Sequence, residues 1–314
     1  MPDRCQQTLA RRDLSISTIP IPIPDNYRPH EVLAFHGRDP LQLAESLSVL
    51  RKGHVLRKGF VVDGKPALLT IAMGEHEASY VLDVDDNAKG MDGAALKAMV
   101  QGMLGMHILP EAFEAAVATD PLLGAVVLRQ RGLRIPQTAT AFEALSWAII
   151  GQQIGLGFAI TLRRRFIELG GVRHGSGMAC YPDAGCVARM RADDLGRLQF
   201  SRAKSEALIR VAQLIEEGRL DLEQLATEAP EAAFETLTSI KGIGPWTANY
   251  VLMRGLGAVD CSLHGDAAVR AAIVRITGTS EKLGQVEAQR MLEQYRPWRS
   301  LAAAHLWASQ IQSA

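Results

Sequence analysis

Two glycines followed by a proline, in the run Gly242-Ile243-Gly244-Pro245, constrain the fold of this chain more than any other feature. Glycine adopts positive φ freely and leaves its backbone uncovered, so the pair predicts a sharp turn. Proline suits the first position of a helix, where a missing N–H costs nothing. We therefore predict a short helix that ends at Lys241, a tight hairpin, and a second helix whose exposed amides form a site for an anion such as phosphate. The glycines alone fit an ordinary turn equally well.

Two aromatic residues and an aspartate follow this hairpin. Trp246 and Tyr250 are four positions apart and therefore share one face of the second helix. That helix is predicted to end near Gly255, and a loop then leads to Asp266, where a returning helix brings the carboxylate beside the aromatic face. An aspartate that precedes a helix is most often its N-cap, and the residues alone favour that interpretation. A cap and a functional carboxylate are compatible roles.

The composition limits the classes of protein to consider. The chain has 314 residues, of which 47% are hydrophobic and 22% charged, as is typical of a globular protein with about two or three domains. Lys and Arg number 34, as do Asp and Glu, so a uniformly basic DNA-packaging protein is excluded. The 4 cysteines form no C-x-x-C pair, which gives little support to a zinc site and fits reduced thiols in a cytoplasm.

Neither a signal peptide nor a membrane span is predicted. The N-terminus lacks a basic and then apolar run that ends in small residues. Residues 142–162 are apolar, but Glu143 near their start and Gly151-Gln152-Gln153 in their middle are unsuited to a lipid-facing helix. We expect two buried helices there.

The pattern along the chain predicts an α+β fold, with a small mixed α/β domain followed by a mostly helical core. Residues 1–24 end in alternating prolines that force an extended arm. Residues 25–116 form the small domain, with a tight turn at Asp63-Gly64. Residues 117–314 form the helical core, with the hairpin and its two helices at about 233–256. The strands predicted in the small domain are His54–Val62, Ala67–Met73 and Ser79–Val84.

Several helices are predicted from caps and apolar spacing. Thr140 and Glu143 match a capping box, in which Thr140 caps the free amides and the Glu143 side chain reaches back. Ser201 opens another helix with an apolar stripe. The remaining helices are predicted at Gly93–Leu104, Val286–Tyr295 and Leu301–Gln310.

The hairpin, the run from Trp246 to Tyr250 and the later Asp266 carry a resemblance to a known family. Together they resemble the helix-hairpin-helix DNA glycosylases, and within these the AlkA-type 3-methyladenine DNA glycosylases II. The likeness is strong over about residues 130 to 314 and weak in the N-terminal third. Further segments with counterparts in the same order are 132–136, 148–152, 204–209, 296–300 and 305–307.

The resemblance implies removal of a damaged base by cleavage of the bond between base and sugar. The sugar gains oxocarbenium character, which a carboxylate stabilises while it orients or deprotonates the attacking water. Asp266 occupies the position of the family's catalytic aspartate. Trp246, Tyr250 and Trp307 match the aromatic positions that receive the extruded base, and their electron-rich faces attract alkylated purines that carry positive charge. Core packing is the alternative for each of these aromatics.

The residue at position 246 distinguishes two branches of that family. Relatives that also cut the DNA strand have a lysine there, which forms a Schiff base with the sugar. Trp246 instead implies that water is the nucleophile and that the chain is a monofunctional hydrolase of N-glycosyl bonds. Lys241 is expected to point elsewhere. Two alternatives stay open, namely a non-catalytic helix-hairpin-helix DNA-binding protein and a bifunctional glycosylase and lyase for oxidised guanine.

The resemblance also assigns residues that contact DNA. Gly242 and Gly244 would present backbone amides to a phosphate. Gln153 stands where an AlkA relative has the leucine that fills the gap left by the extruded base. A glutamine could fill the gap and bond to the orphaned base, but this departure means that the wedge geometry does not carry over. Ala267 stands in place of a tyrosine of that relative, which implies a wider pocket. His264 lies in a loop that departs from the usual one and is assigned no role.

The implied partner is double-stranded DNA that contains alkylated bases, bound by a cytoplasmic monomer with no membrane attachment and no cofactor. The family's hairpin also holds a monovalent cation through backbone oxygens, here those of Thr238, Ile240 and Ile243. A second aspartate, Asp260, matches the family and is expected to be structural.

A locally positive stretch fits contact with phosphates. Residues 161–210 hold roughly ten Lys and Arg against about five Asp and Glu, and Arg163-Arg164-Arg165 is the densest part. A run of charges is more often a solvated helix face than a binding surface, so both interpretations stay open.

Overall fold

The computed structural model describes residues 19–87 and 90–311. Over these ranges the chain has the predicted α+β fold, with an antiparallel sheet first and a mostly helical part after it. Most of the predicted N-terminal arm lies outside the described residues. The division of the chain at residues 24 and 116 stays a prediction.

The strands of the sheet are β1 (Ile19–Pro22), β2 (Glu45–Leu50), β3 (Gly53–Val62), β4 (Lys65–Met73) and β5 (Glu77–Val84). In the described part of the chain they form one five-stranded sheet in the order β1-β5-β4-β3-β2, with antiparallel neighbours throughout. The three strands predicted from the sequence are confirmed as β3, β4 and β5. The tight turn at Asp63-Gly64 is also confirmed, and both residues have the positive φ that such a hairpin requires.

The two edge strands, β1 and β2, were missed by the sequence analysis. β1 falls within the predicted arm, but it pairs with β5 and buries Ile21, which is 1% exposed. An edge strand tolerates prolines because a missing N–H can face away from the sheet. Residues 19–22 are therefore extended, as predicted, and also paired. β2 has serines at alternate positions, which weakens its strand signal.

The helices of the first half are α1 (His30–His36), α2 (Gly93–Met103), α3 (Glu111–Ala116), α4 (Gly124–Arg129), α5 (Ala141–Gly151) and α6 (Leu156–Gly170), with a short 3₁₀ turn at Asp85–Asn87. The later helices are α7 (Ala184–Ala188), α8 (Ala192–Arg197), α9 (Arg202–Glu216), α10 (Leu222–Leu225), α11 (Pro230–Ser239), α12 (Pro245–Arg254), α13 (Ala267–Thr277), α14 (Gln285–Glu293) and α15 (Arg299–Ile311). The predicted helices are confirmed in α2, α5, α9, α14 and α15. Among the described residues, no helix is both long and apolar enough to span a bilayer.

Glu143 does not complete the predicted capping box. The Thr140 hydroxyl accepts a hydrogen bond from the Glu143 amide, as expected, but the Glu143 carboxylate points into the protein. There it accepts hydrogen bonds from Lys58 (2.6 Å) and Arg163 (2.9 Å), which also bond to Glu45. We call Glu45, Lys58, Glu143 and Arg163 the buried ion cluster, because each is at most 2% exposed. It joins β2 and β3 to α5 and α6.

The same cluster shows that neither interpretation of the arginine run, a solvated helix face or a DNA-binding surface, holds for Arg163. Arg163 is fully buried and cannot reach a phosphate. Arg164 pairs with Asp39 at 2.6 Å, and Arg165 donates to the backbone oxygen of Leu198. Burial alone would raise the pKa of Glu45, but the charges of Arg163 and Lys58 hold that pKa well below its ordinary value. The run is therefore largely committed to contacts within the protein.

Candidate active site

A tight turn connects α11 to α12. α11 ends at Ser239, two residues before the predicted end at Lys241, and the Ile243 amide donates to the Ile240 carbonyl at 3.0 Å. Gly242 has a φ of +100°, and a Cβ there would lie 2.9 Å from the Cβ of Ala207. Glycine is required at this position by both the backbone and the packing.

Gly244 has a different reason to be glycine. Its φ is −94°, so the predicted positive φ is correct for Gly242 and wrong for Gly244. Gly244 is the N-cap of α12, it offers no side-chain cap, and nothing lies within 4 Å of the position that a Cβ would take. The space beside Gly244, at the start of α12, is therefore open, as a backbone contact with an anion at this helix end requires.

Asp266 is the N-cap of α13, and its carboxylate also lies between two indole groups. Its Oδ1 accepts hydrogen bonds from the amides of Ala268 and Val269 (both 2.9 Å) and from Nε1 of Trp307 (3.0 Å). Its Oδ2 accepts one, from Nε1 of Trp246 (2.9 Å). The carboxylate is therefore held from both sides, and Oδ2 keeps capacity for a further positive partner.

Three predicted aromatics form a continuous wall beside this carboxylate. The ring centroids of Trp246 and Tyr250 are 5.5 Å apart, and those of Tyr250 and Trp307 are 6.5 Å apart. Tyr250 is buried, whereas both indoles are half-buried. The structure thus brings Asp266, Trp246, Tyr250 and Trp307 together. The indole N–H groups that hold Asp266 were missed by the sequence analysis, because nothing in the spacing identified their acceptor.

The turn between α5 and α6 reaches the hairpin through Gln152. Its Nε2 donates to the Gly242 carbonyl (3.0 Å) and to the Thr247 hydroxyl (2.9 Å). The sequence analysis assigned no role to this side chain. The next residue, Gln153, is exposed and has a φ of +56°, which is uncommon for a residue other than glycine. Gln153 is thus presented to solvent next to the hairpin.

The predicted cation ligands, Lys241 and Asp260 differ in their contacts and exposure. Of the three proposed cation ligands, the Ile240 carbonyl already accepts the Ile243 amide and keeps one lone pair, so this ligand set stays a prediction. Lys241 is exposed. Asp260 pairs with Arg299, whose Nε lies 2.7 Å from Oδ1. Within the described ranges, no group of three or more His, Cys, Asp or Glu side chains could hold a metal ion.

His264, which was assigned no role, bonds through Nδ1 to the Ser262 hydroxyl at 2.9 Å. Burial, together with the nearby charges of Arg299 and Arg270, lowers its pKa. Ala267 is exposed at the start of α13, next to Asp266.

No protein-family model matches the chain. It is 34% identical over 198 residues to the DNA-3-methyladenine glycosylase of Bacillus subtilis, which covers 62% of this chain and 65% of that protein. It is 32% identical over 187 residues to DNA-3-methyladenine glycosylase 2 of Escherichia coli, covering 59% of this chain and 63% of that protein. The chain spans slightly less than two thirds of the length of these relatives.

Solved structures give the same fold. The structure of a 3-methyladenine DNA glycosylase from Archaeoglobus fulgidus superposes with a TM-score of 0.76 and 22% sequence identity. The match covers 92% of this chain and 97% of that one, so it includes the N-terminal sheet as well as the helical part. At this identity the likeness shows a shared fold.

Proposed function

We propose that the chain is a DNA glycosylase of the helix-hairpin-helix superfamily, as its similarity to AlkA-type relatives supports, and that it excises alkylated purines from DNA. The reaction is hydrolysis of the N-glycosidic bond, in base excision repair, with purines of the 3-methyladenine and 7-methylguanine type. The partner is double-stranded DNA. The monomeric state and the cytoplasmic location predicted from the sequence remain parts of this proposal.

The observation that carries the proposal is the carboxylate of Asp266, fixed by the indoles of Trp246 and Trp307 at the edge of the aromatic wall. In this role Oδ2, which accepts a single hydrogen bond, faces the sugar as it gains positive charge. A preorganised charge stabilises such a transition state without reorganising during the reaction. The same oxygen orients the attacking water.

The aromatic wall supports alkylated purines as the substrate class. A flipped purine stacks on the wall of Trp246, Tyr250 and Trp307, in which the ring centroid of Tyr250 lies 5.5 Å from that of Trp246 and 6.5 Å from that of Trp307. An alkylated purine of this type carries positive charge, and this charge makes it a better leaving group. Modest catalysis then suffices, which is compatible with a single carboxylate, that of Asp266, bonded to the two indoles of the wall.

The lyase alternative has less support. A Schiff base requires a lysine amine at the reacting sugar, whereas position 246 holds a tryptophan that bonds to Asp266. A non-catalytic DNA-binding protein would need the glycines of the hairpin but neither Asp266 nor the wall beside it.

Replacement of Asp266 tests the proposal. Asp266→Asn keeps an oxygen for the helix cap but removes the negative charge, so we expect release of free base from methylated DNA to fall roughly 100- to 1000-fold. The measurement is the amount of each free base released from DNA treated with a methylating agent. Asp92→Asn is a matched control, because Asp92 caps α2 through the amides of Ala94 and Ala95.

Two results would contradict the proposal. Undiminished base release by Asp266→Asn would remove Asp266 from the mechanism, whereas DNA binding by the wild-type protein without any base release would favour the non-catalytic alternative. A covalent adduct with DNA that borohydride traps would favour the lyase.

A further inference from the structure

A buried arginine lies on the same face of α12 as the aromatic wall. Trp246, Tyr250 and Arg254 occupy positions i, i+4 and i+8 of this helix, so their side chains share one face. Arg254 is the last residue of α12, about 12 Å along the helix axis from Trp246. It is 9% exposed.

The guanidinium of Arg254 contacts the wall directly. Its Cζ lies 5.5 Å from the ring centroid of Trp307 and 4.7 Å from that of Phe35 in α1. Nη1 donates to the backbone oxygen of Pro136 at 2.7 Å, whereas Nε has no acceptor among the described residues. The positive charge is therefore held close to the ring of Trp307.

Among the described residues, no carboxylate lies within ion-pairing distance of this charge. Over residues 19–87 and 90–311, Arg254 forms no ion pair. A neighbouring arginine, Arg38, also stacks on Phe35 (4.2 Å), but it lies 3.9 Å from the Glu143 carboxylate and stacks on Trp147. Burial lowers the pKa of Arg254 to about 10, so its side chain is still protonated at neutral pH.

We propose that Arg254 sets the charge preference of the base pocket. Its fixed positive charge opposes the binding of a cationic base and favours a purine that gains negative charge as it leaves. The inference rests on the proposed function, because it requires the wall to receive the extruded base. Arg254 offsets the attraction that the aromatic faces exert on cationic purines. Selection of alkylated purines then arises in the bond-breaking step, where a cationic purine leaves more easily, and not from tighter binding.

The test compares two flipped bases of the same shape that differ by one charge. One duplex carries 7-methylguanine on a 2′-fluoro sugar, which resists hydrolysis, and the other carries its neutral analogue 7-deaza-7-methylguanine. For the wild-type protein we expect the two affinities to agree within about threefold. Loss of one unit charge at roughly 10 Å in a partly buried site changes relative binding about tenfold. Arg254→Met should therefore raise the ratio of cationic to neutral affinity about tenfold.

Three further variants separate charge from packing. Arg254→Lys keeps the charge and should keep the wild-type ratio. Arg254→Gln removes the charge but retains a donor for Pro136, and it serves as the neutral variant if Arg254→Met does not fold. Arg38→Met removes a guanidinium from the same Phe35 ring and should leave the ratio unchanged.

Two results would overturn the role of Arg254. One is a wild-type preference for the cationic duplex above about tenfold, and the other is an unchanged ratio in a folded neutral variant. Release of 7-methylguanine from ordinary methylated DNA is measured in parallel with the wild-type protein. Absence of release refutes the proposed function, whereas release with an unchanged ratio refutes the role of Arg254 alone.

Discussion

Replacement of Trp246 by phenylalanine separates two roles of this residue. Phenylalanine keeps an aromatic ring for stacking but removes the N–H that donates to Oδ2 of Asp266 at 2.9 Å. Oδ2 has no other donor among the described residues, so the carboxylate loses the contact that fixes this oxygen. A hydrogen bond to a charged group contributes about 1.5–3 kcal/mol. If about half of that is expressed in the transition state, the rate constant of base release falls roughly 10-fold.

Replacement of Trp307 by phenylalanine provides an internal comparison. Trp307 donates to Oδ1, which also accepts hydrogen bonds from the amides of Ala268 and Val269. Because two donors remain on that oxygen, we expect Trp307→Phe to lower the rate constant less than threefold, or about 0.6 kcal/mol. The asymmetry between the two variants follows from the number of donors on each oxygen.

The assay is single-turnover release of 7-methylguanine at saturating enzyme, together with the affinity for the same duplex. Trp246→Phe should change the rate constant and leave the affinity within about threefold, because the stacking ring remains. Trp298→Phe serves as the control, since Trp298 packs against Phe113 in the core. Equal losses in Trp246→Phe and Trp307→Phe, or a loss in affinity alone, would refute the reasoning.

Three further predictions concern the hairpin, the ion cluster and the response to acid. Gly242→Ala should lower the free energy of unfolding by about 1–3 kcal/mol, because alanine is strained at a φ of +100°. Gly244→Ala should change the free energy of unfolding by less than about 0.5 kcal/mol but weaken DNA binding about tenfold. Chemical denaturation measures the first quantity and titration with DNA the second. Glu143→Gln removes one of the two carboxylates that pair with Lys58 in the buried ion cluster, and should lower the free energy of unfolding in urea by about 3–5 kcal/mol. A decrease of less than about 1 kcal/mol would contradict this prediction. Burial lowers the pKa of His36 from 6.5 to about 4. As the pH falls between these two values, the unfolded state takes up a proton that the folded state does not, so the free energy of unfolding decreases by about 3 kcal/mol. His36→Gln should flatten that dependence in denaturation curves measured from pH 7 to pH 4.

Local signals predicted the parts of the fold that depend on neighbouring residues. The Asp63-Gly64 turn and the break at Gly242 follow from backbone sterics, which operate within a few residues. The strands on either side of Asp63 have a clear β-branched and apolar pattern. The edge strand at 19–22 was predicted to be extended, but its partner strand lies more than fifty residues away. Only the structure identifies the partner.

Long-range electrostatic contacts were the least predictable. Glu143 has the spacing of a capping residue and Arg163 that of a solvated charge run, and both are local patterns. The partner of Glu143, Lys58, lies in β3, 85 residues away, and that of Arg163, Glu45, lies in β2, 118 residues away. Burial of these charges is tolerated because each one has an opposite charge within hydrogen-bonding distance. A sequence pattern that describes one helix cannot report this condition.

The two interpretations of Asp266 prove to be parts of one arrangement. As an N-cap it directs Oδ1 toward the amides of α13, and this requirement alone fixes the plane in which Oδ2 lies. Trp246, on the helix after the hairpin, then contacts Oδ2 from the other side. Asp92 is an N-cap with the same kind of bonds to its own helix, through the amides of Ala94 and Ala95, and among the described residues no indole N–H donates to it. The cap bonds therefore hold the carboxylate rigid through Oδ1, and the Trp246 indole orients Oδ2. The role of Asp266 as an N-cap is thus a condition for its proposed catalytic role.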